Sequence, residues 1–286
     1  MISIRLPAVE VRMQGKLFSM NDAKMHLDNG NLAGAVEAAI GLVKSNPTAY
    51  ASRTFLFELS LFSGDWDRAD RQLDVISHQD ANSAIGSLIY RQNLSAERDR
   101  VKYFSEGLRP ETPDAPTPYI NDLFQANDLI REGNTAEARE LLDKVEEERP
   151  AFSCNINGES FSDIRDYNDQ TMCAFEAIVK DSYVWLPFES VKKLDFLERK
   201  SLRDVYWPQA QFELVNGTTG ELFLPSLYVN SWKNSDDQIR LGRSVDWKDL
   251  GDEIYAGEGT RIFTMDGKDK TILDLKTIEF NHETVS

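Results

Sequence analysis

A glycine followed five residues later by an alanine recurs in this chain at close to multiples of 34 residues, and that spacing limits the fold of the first half. Gly30-Asn31-Leu32-Ala33-Gly34-Ala35 and Gly64-Asp65-Trp66-Asp67-Arg68-Ala69 lie 34 residues apart. Gly133-Asn134-Thr135-Ala136-Glu137-Ala138 follows 69 residues later, close to two further periods. In the first and third segments a proline, Pro47 or Pro150, stands twelve residues beyond the alanine. The glycine marks a place where one helix stops in a left-handed residue and the chain turns back. The Asn or Asp beside it is suited to cap the next helix. The small alanine lets the two helices approach, and the proline ends the second. The period is that of tetratricopeptide-type (TPR) hairpins.

Apolar residues fall at helical spacing between these marks: Ala35, Ala39, Leu42 and Val43; then Ala69, Leu73 and Ile76; then Leu141, Leu142 and Val145. Residues 50–62 (YASRTFLFELSLF) are apolar nearly all round, as for a helix between neighbours, and 119–131 are amphipathic. Residues 84–107 read as a longer helix without the glycine and alanine marks, hence a degenerate unit. Prolines at 110, 113, 116 and 118 then require an extended loop or linker. A stack of such hairpins presents a concave protein-binding surface without naming its ligand.

Beyond Pro150 short β-prone runs replace the helical pattern: 175–179, 183–186, 191–197, 210–215, 221–224, 260–265 and 271–275. Asn216-Gly217 and Asp266-Gly267-Lys268 read as hairpin turns, and 201–206 as one helical turn. The expected class is α+β: a leader over 1–19, TPR-like helical hairpins over 20–152, and a β-rich domain over 153–286 forming a small SH3-like barrel or a curled sheet.

With 32 basic and 48 acidic residues the net charge is −16, which disfavours generic binding to nucleic acid or anionic lipid and attracts a basic partner surface. Cys154 and Cys173 have no CxxC spacing, so no disulfide framework or four-thiol zinc site is indicated; both read as small buried hydrophobes. No run approaches a membrane span, and Arg5, Glu10, Arg12 and Lys16 interrupt any signal-peptide core. Residues 1–19 therefore read as a frayed leader, with Met13 or Met20 as alternative starts, and the expected location is the cytoplasm.

Catalytic marks are missing. His26, His78 and His282 lie in different segments, and no HExxH, GxSxG, GxxxxGK[ST] or GxGxxG occurs. No enzymatic activity and no cofactor are expected. The densest polar run is 160–169, SFSDIRDYND, where Asp163, Asp166 and Asp169 recur every third residue. If gathered on one face they would make a cation site or a partner-binding corner. The plainer alternative is a capped turn at the domain junction, with Arg165 pairing a carboxylate. A second run, 241–247 (LGRSVDW), sets Arg243 and Asp246 beside Trp247, read as structural with the indole as a core or interface anchor. Trp66, Trp185, Trp207 and Trp232 are core candidates.

Together FSGDWDRADRQLDVI (62–76), SFSDIRDYND (160–169) and LGRSVDW (241–247) resemble the ImpE family, also called SciE or TagJ, accessory proteins encoded with bacterial type VI secretion systems. The resemblance runs from about Met20 onward; the leader and the proline-rich loop depart from it. It implies a TPR-like helical half, a β-rich half and a cytoplasmic, non-catalytic role beside the contractile sheath. The implied partners are the small sheath subunit and the AAA+ ATPase that disassembles contracted sheath. The alternative is a generic TPR chaperone or regulator for another secretion component.

Overall fold

The computed structural model describes residues 11–13, 16–79 and 81–282. Most of the expected leader lies outside them. Its described part pairs antiparallel, β1 (Val11–Met13) against β2 (Lys16–Phe18), so a short β-pair stands where fraying was expected.

The helices then follow the glycine marks. α1 (Met20–Asp28) and α2 (Leu32–Ser45) turn at Gly30, α3 (Tyr50–Phe62) and α4 (Trp66–Ser77) at Gly64, and α6 (Pro118–Glu132) and α7 (Thr135–Glu148) at Gly133. The three glycines have φ of +73°, +70° and +84°, the left-handed geometry that a side chain resists. Asn31 accepts from the Gly34 N–H at 2.7 Å and Asp65 from the Arg68 N–H at 2.9 Å, each capping its helix. Asn134 makes no such bond, so the third turn lacks the cap its sequence suggested. Ala35, Ala69 and Ala138 are fully buried where the paired helices meet. α3 buries Phe55–Phe62 without a gap, which explains its all-round apolar sequence.

α5 (Ala81–Glu106) is the degenerate unit as one 26-residue helix. It packs along α4, to which Arg98 is still paired through Asp67 at 2.9 Å, and also meets two strands of the sheet, Ala174–Val179 and Ser182–Pro187. The proline-rich segment after it is not a free linker. The Glu111 N–H donates to the Tyr183 carbonyl at 3.1 Å and the Glu111 carbonyl accepts from the Trp185 N–H at 2.8 Å. Pro118 then opens α6 at a position where its missing N–H costs nothing.

The strands are β3 (Cys154–Ile156), β4 (Glu159–Phe161), β5 (Arg165–Asp166), β6 (Ala174–Val179), β7 (Ser182–Pro187), β8 (Val191–Phe196), β9 (Gln209–Leu214) and β10 (Thr219–Phe223). They are followed by β11 (Val245–Gly251), β12 (Ile254–Gly259), β13 (Ile262–Met265), β14 (Lys268–Thr271) and β15 (Thr277–Phe280). Short helices α8 (Leu202–Tyr206) and α9 (Asp237–Arg240) interrupt them. Among the described residues eight strands form one sheet in the order β4-β3-β15-β8-β9-β10-β6-β7. β4 and β7 do not pair with each other, so the sheet stays open and the barrel alternative is corrected to a curled sheet. β5, β13 and β14 form a smaller sheet, and β11 and β12 a separate hairpin.

The β13–β14 turn is the expected one: Asp266 and Gly267 have φ of +49° and +77°, matching the twist of the paired strands. The run 271–275 is corrected. Pairing with β13 uses Lys268–Thr271, and Ile272–Asp274 winds into a 3-10 turn that buries Ile272. One continuous apolar core joins helices and sheet, including Phe62, Leu94, Tyr103, Phe124, Trp185 and Trp207.

Candidate functional site

A cavity of about 1250 Å³ lies between α1, α2 and α3 on one side and the segment leading into α8 on the other. Leu27, Leu42, Phe55, Leu202 and Val205 supply its apolar lining. Lys24, Arg199 and Lys200 line it with positive charge, and Asp28 and Glu58 with negative. A cleft of about 640 Å³ shares Tyr50 and Thr54 with it and continues along α4 and α5 to Arg203.

An ion pair links the two. The Arg203 guanidinium donates to Glu58 at 2.6 Å and to the Tyr90 hydroxyl at 2.9 Å, and lies over the Tyr90 ring. Burial among α3 side chains pushes the Glu58 carboxyl up to about 7, against the opposing pull of Arg203. α8 is held for this role by its own start, where Asp204 accepts from the Ser201 N–H at 2.9 Å.

A second polar system lies wholly inside, where α5 crosses the sheet. Arg100 donates to Glu97 at 2.7 Å, to Glu176 at 2.8 Å and 3.0 Å, and to the Leu227 carbonyl at 2.8 Å. Arg261 bridges Glu176 and Asp166 from the other side. The Tyr183 hydroxyl donates to Glu176 at 2.5 Å and accepts from the Trp185 indole at 2.6 Å. Burial alone would raise the Glu176 pKa, yet Arg100 and Arg261 hold it down to about 2. Three carboxylates against two guanidiniums, all buried, form a structural clamp between helix and sheet.

The three aspartates of 160–169 do not gather on one face. Asp163 takes a forked contact from Arg149 at 2.7 Å and 2.9 Å and accepts from the Phe152 N–H at 2.9 Å, closing the step from α7 into the sheet. Asp169 accepts from Arg165 at 2.6 Å and from the Tyr255 N–H at 2.8 Å. Asp166 points inward to Arg261, Thr171 and Tyr228. Each carboxylate is thus spent on a different partner. Among the described residues no group of three His, Cys, Asp or Glu side chains is placed to hold a metal ion.

The block at 241–247 lies against both systems. Arg243 donates to the Asp28 carbonyl at the end of α1 at 3.2 Å. Asp246 is exposed and accepts from the Trp247 N–H at 2.9 Å. The half-buried Trp247 ring sits 5.4 Å from Tyr167 and 5.7 Å from Tyr228. Tyr228 in turn donates to Asp166 at 2.9 Å, which brings the two sequence blocks together. Of the other tryptophans, Trp185 and Trp207 are core, whereas the half-buried Trp66 and Trp232 pack edge to face.

The same region docks on the hairpin turns. A Cβ on Gly30 would overlap the Gln238 amide, and one on Gly64 the Trp232 ring. Asp237 accepts from the Leu32 N–H at 2.8 Å, capping α2 from outside its own hairpin. At the third turn Thr135 donates to Asp252 at 2.6 Å. Asp252 and Glu253 hold φ of +50° and +60° there without glycine.

Sequence reading missed Glu58, Arg203, Arg100, Glu176 and Arg261. The available signal was a lone carboxylate inside an apolar run, Glu58 in FLFELSLF and Glu176 in AFEAIV. The cations come from distant segments and carry no local signal.

Among the described residues no helix is long and apolar enough to cross a membrane. Residues 158–279 match the family model described as ImpE protein. A relative from Pseudomonas aeruginosa, named Type VI secretion system accessory component TagJ, is 30% identical over 269 residues, 94% of each chain. The crystal structure of protein VPA1032 from Vibrio parahaemolyticus is similar with a TM-score of 0.83 at 26% identity, covering 92% of this chain and 98% of that one. With the likeness running through the helices, the sheet and the turns that join them, this chain belongs to the ImpE family.

Proposed function

We propose that this chain is a non-enzymatic adaptor of a bacterial type VI secretion system that works in the cytoplasm. Its TPR-like groove holds an amphipathic segment of the small sheath subunit, and through that contact it is linked to recycling of contracted sheath by the AAA+ ATPase. The observation that carries this reading is the 30% identity to the TagJ accessory component, sustained over 94% of both chains. The cavity supports it: an apolar lining with a charged rim suits helix-in-groove docking. The overall charge of −16 steers a basic partner toward the molecule, but the lining itself carries Lys24, Arg199 and Lys200 beside Asp28 and Glu58. The docked helix is therefore expected to turn an acidic edge to that rim.

Co-purification of the full chain with the small sheath subunit and with the ATPase tests this at micromolar concentration and moderate salt. Reversing the exposed rim charges in Lys24→Glu/Lys200→Glu is expected to weaken sheath-subunit binding about tenfold. Binding to neither protein by the wild type would sink the proposal. Capture of a different secretion component at the groove would favour the chaperone alternative.

A further inference from the structure

The first three turns of α5 are built inside out. Ser83 and Ser87 are buried toward α3 and α4, with half-buried Gly86 between them, while Ala81, Asn82, Ala84, Ile85, Leu88 and Ile89 are exposed. Ile85 and Leu88 are 61% and 59% exposed. Spacings of three and four place Ile85, Leu88 and Ile89 on one stripe, the reverse of a surface helix that turns its apolar side to the core. The second half of α5 is normal, burying Leu94, Ala96 and Tyr103. In the first two hairpins each helix has an antiparallel mate; after α5 the chain leaves through the proline-rich segment toward α6.

The stripe is also bare of charge. None of the six exposed residues of these turns ionises, in a chain that is 28% charged. Arg91, the next cation along the helix, is drawn to α4 by Asp70 at 2.8 Å and Asp74 at 3.2 Å.

From these observations we infer that a second copy of this chain packs on the stripe, α5 against α5, in an antiparallel twofold contact. Two copies of net charge −16 repel wherever their carboxylates face each other, so they meet best on a surface that carries none. A basic partner drawn by that charge would find no carboxylate here to pair with its cations. The spacing is self-complementary. A twofold axis between Ile85 and Leu88 sets Ile85 against Leu88 of the second copy and the small Ala84 against its Ile89. Three exposed apolar side chains make a small contact beside the ~800 Å² per partner of a standard interface, so the association is expected to be weak and reversible. It shares no residue with the groove and does not depend on what the groove holds.

Sedimentation equilibrium of the full chain from about 1 to about 200 µM, in ~0.3 M salt, tests the contact. The weight-average mass is expected to climb from 32.5 kDa toward twice that value, and less steeply in ~0.05 M salt, where the net charges are less screened. Leu88→Asp and Ile85→Asp change solvent-facing residues and are expected to weaken association at least about tenfold while their circular dichroism and melting stay like wild type. Leu108→Asp, an exposed apolar residue outside the stripe, is expected to associate as wild type does. A wild type that stays monomeric at ~200 µM in ~0.3 M salt overturns the inference. So does association of Leu88→Asp equal to wild type, or its loss in Leu108→Asp.

Discussion

Glu58 and Glu176 are the same residue type in similarly apolar runs, and their surroundings send them in opposite directions. Two buried guanidiniums flank Glu176 and keep it ionised, held down to about 2. Glu58 has only the partly exposed Arg203, so burial wins and its carboxyl rises to about 7 from 4.5. The folded chain therefore binds a proton at Glu58 that the unfolded chain has released, across the interval from about 4.5 to about 7. The stability that this proton supplies is present at the acid end and is lost as pH rises through about 7. Glu58→Gln keeps the acceptor for Arg203 and removes the titration. Its Tm is expected to fall less than that of wild type between pH ~5 and pH ~8, by on the order of a few degrees. Parallel melting curves across that interval would show that Glu58 stays ionised.

At the scale of elements, the hairpin turns separate two uses of glycine. Gly64 and Gly133 both adopt left-handed geometry, so alanine at either costs about 1 kcal/mol in backbone strain. Only at Gly64 does the missing Cβ also make room for the Trp232 ring; at Gly133 the space is open. Gly64→Ala is expected to destabilise by at least ~2 kcal/mol and Gly133→Ala by ~1 kcal/mol in denaturant unfolding. Equal losses would mean that Trp232 moves aside freely. The backbone role of these glycines was legible in the sequence, because a left-handed stop and a cap are local matters. The docking role was not, since Trp232 and Gln238 arrive from far along the chain. For the same reason the hairpins at Asn216-Gly217 and Asp266-Gly267 could be read, whereas β15, seated between β3 and β8, could not. Its pairing depends on strands more than eighty residues away. The aspartates of 160–169 show the limit again: their period suggested one face, but short strands and a 3-10 turn send them three ways.

For the molecule as a whole, the buried clamp ties helix to sheet so closely that neither side has its own separate core. Arg100 on α5 closes against Glu176 on β6 and the Leu227 carbonyl. Removing it in Arg100→Leu leaves Glu97 and Glu176 buried with less compensation, at an expected cost of ~3–5 kcal/mol. Far-ultraviolet dichroism, dominated by the helices, and tryptophan fluorescence, which includes Trp185 in the sheet, are expected to report one coincident unfolding transition in wild type and variant. Two separated transitions would show that the helical part melts alone. The open sheet sets a further condition on the whole molecule. Its β7 border would be an unsatisfied hydrogen-bonding template, the kind of edge on which crowded chains stack into fibrils. Glu111 occupies that template, and the prolines at 110 and 113 on either side cannot donate a main-chain hydrogen bond to extend the ladder. The segment that interrupts the helical repeat thus serves as a stopper against runaway strand addition.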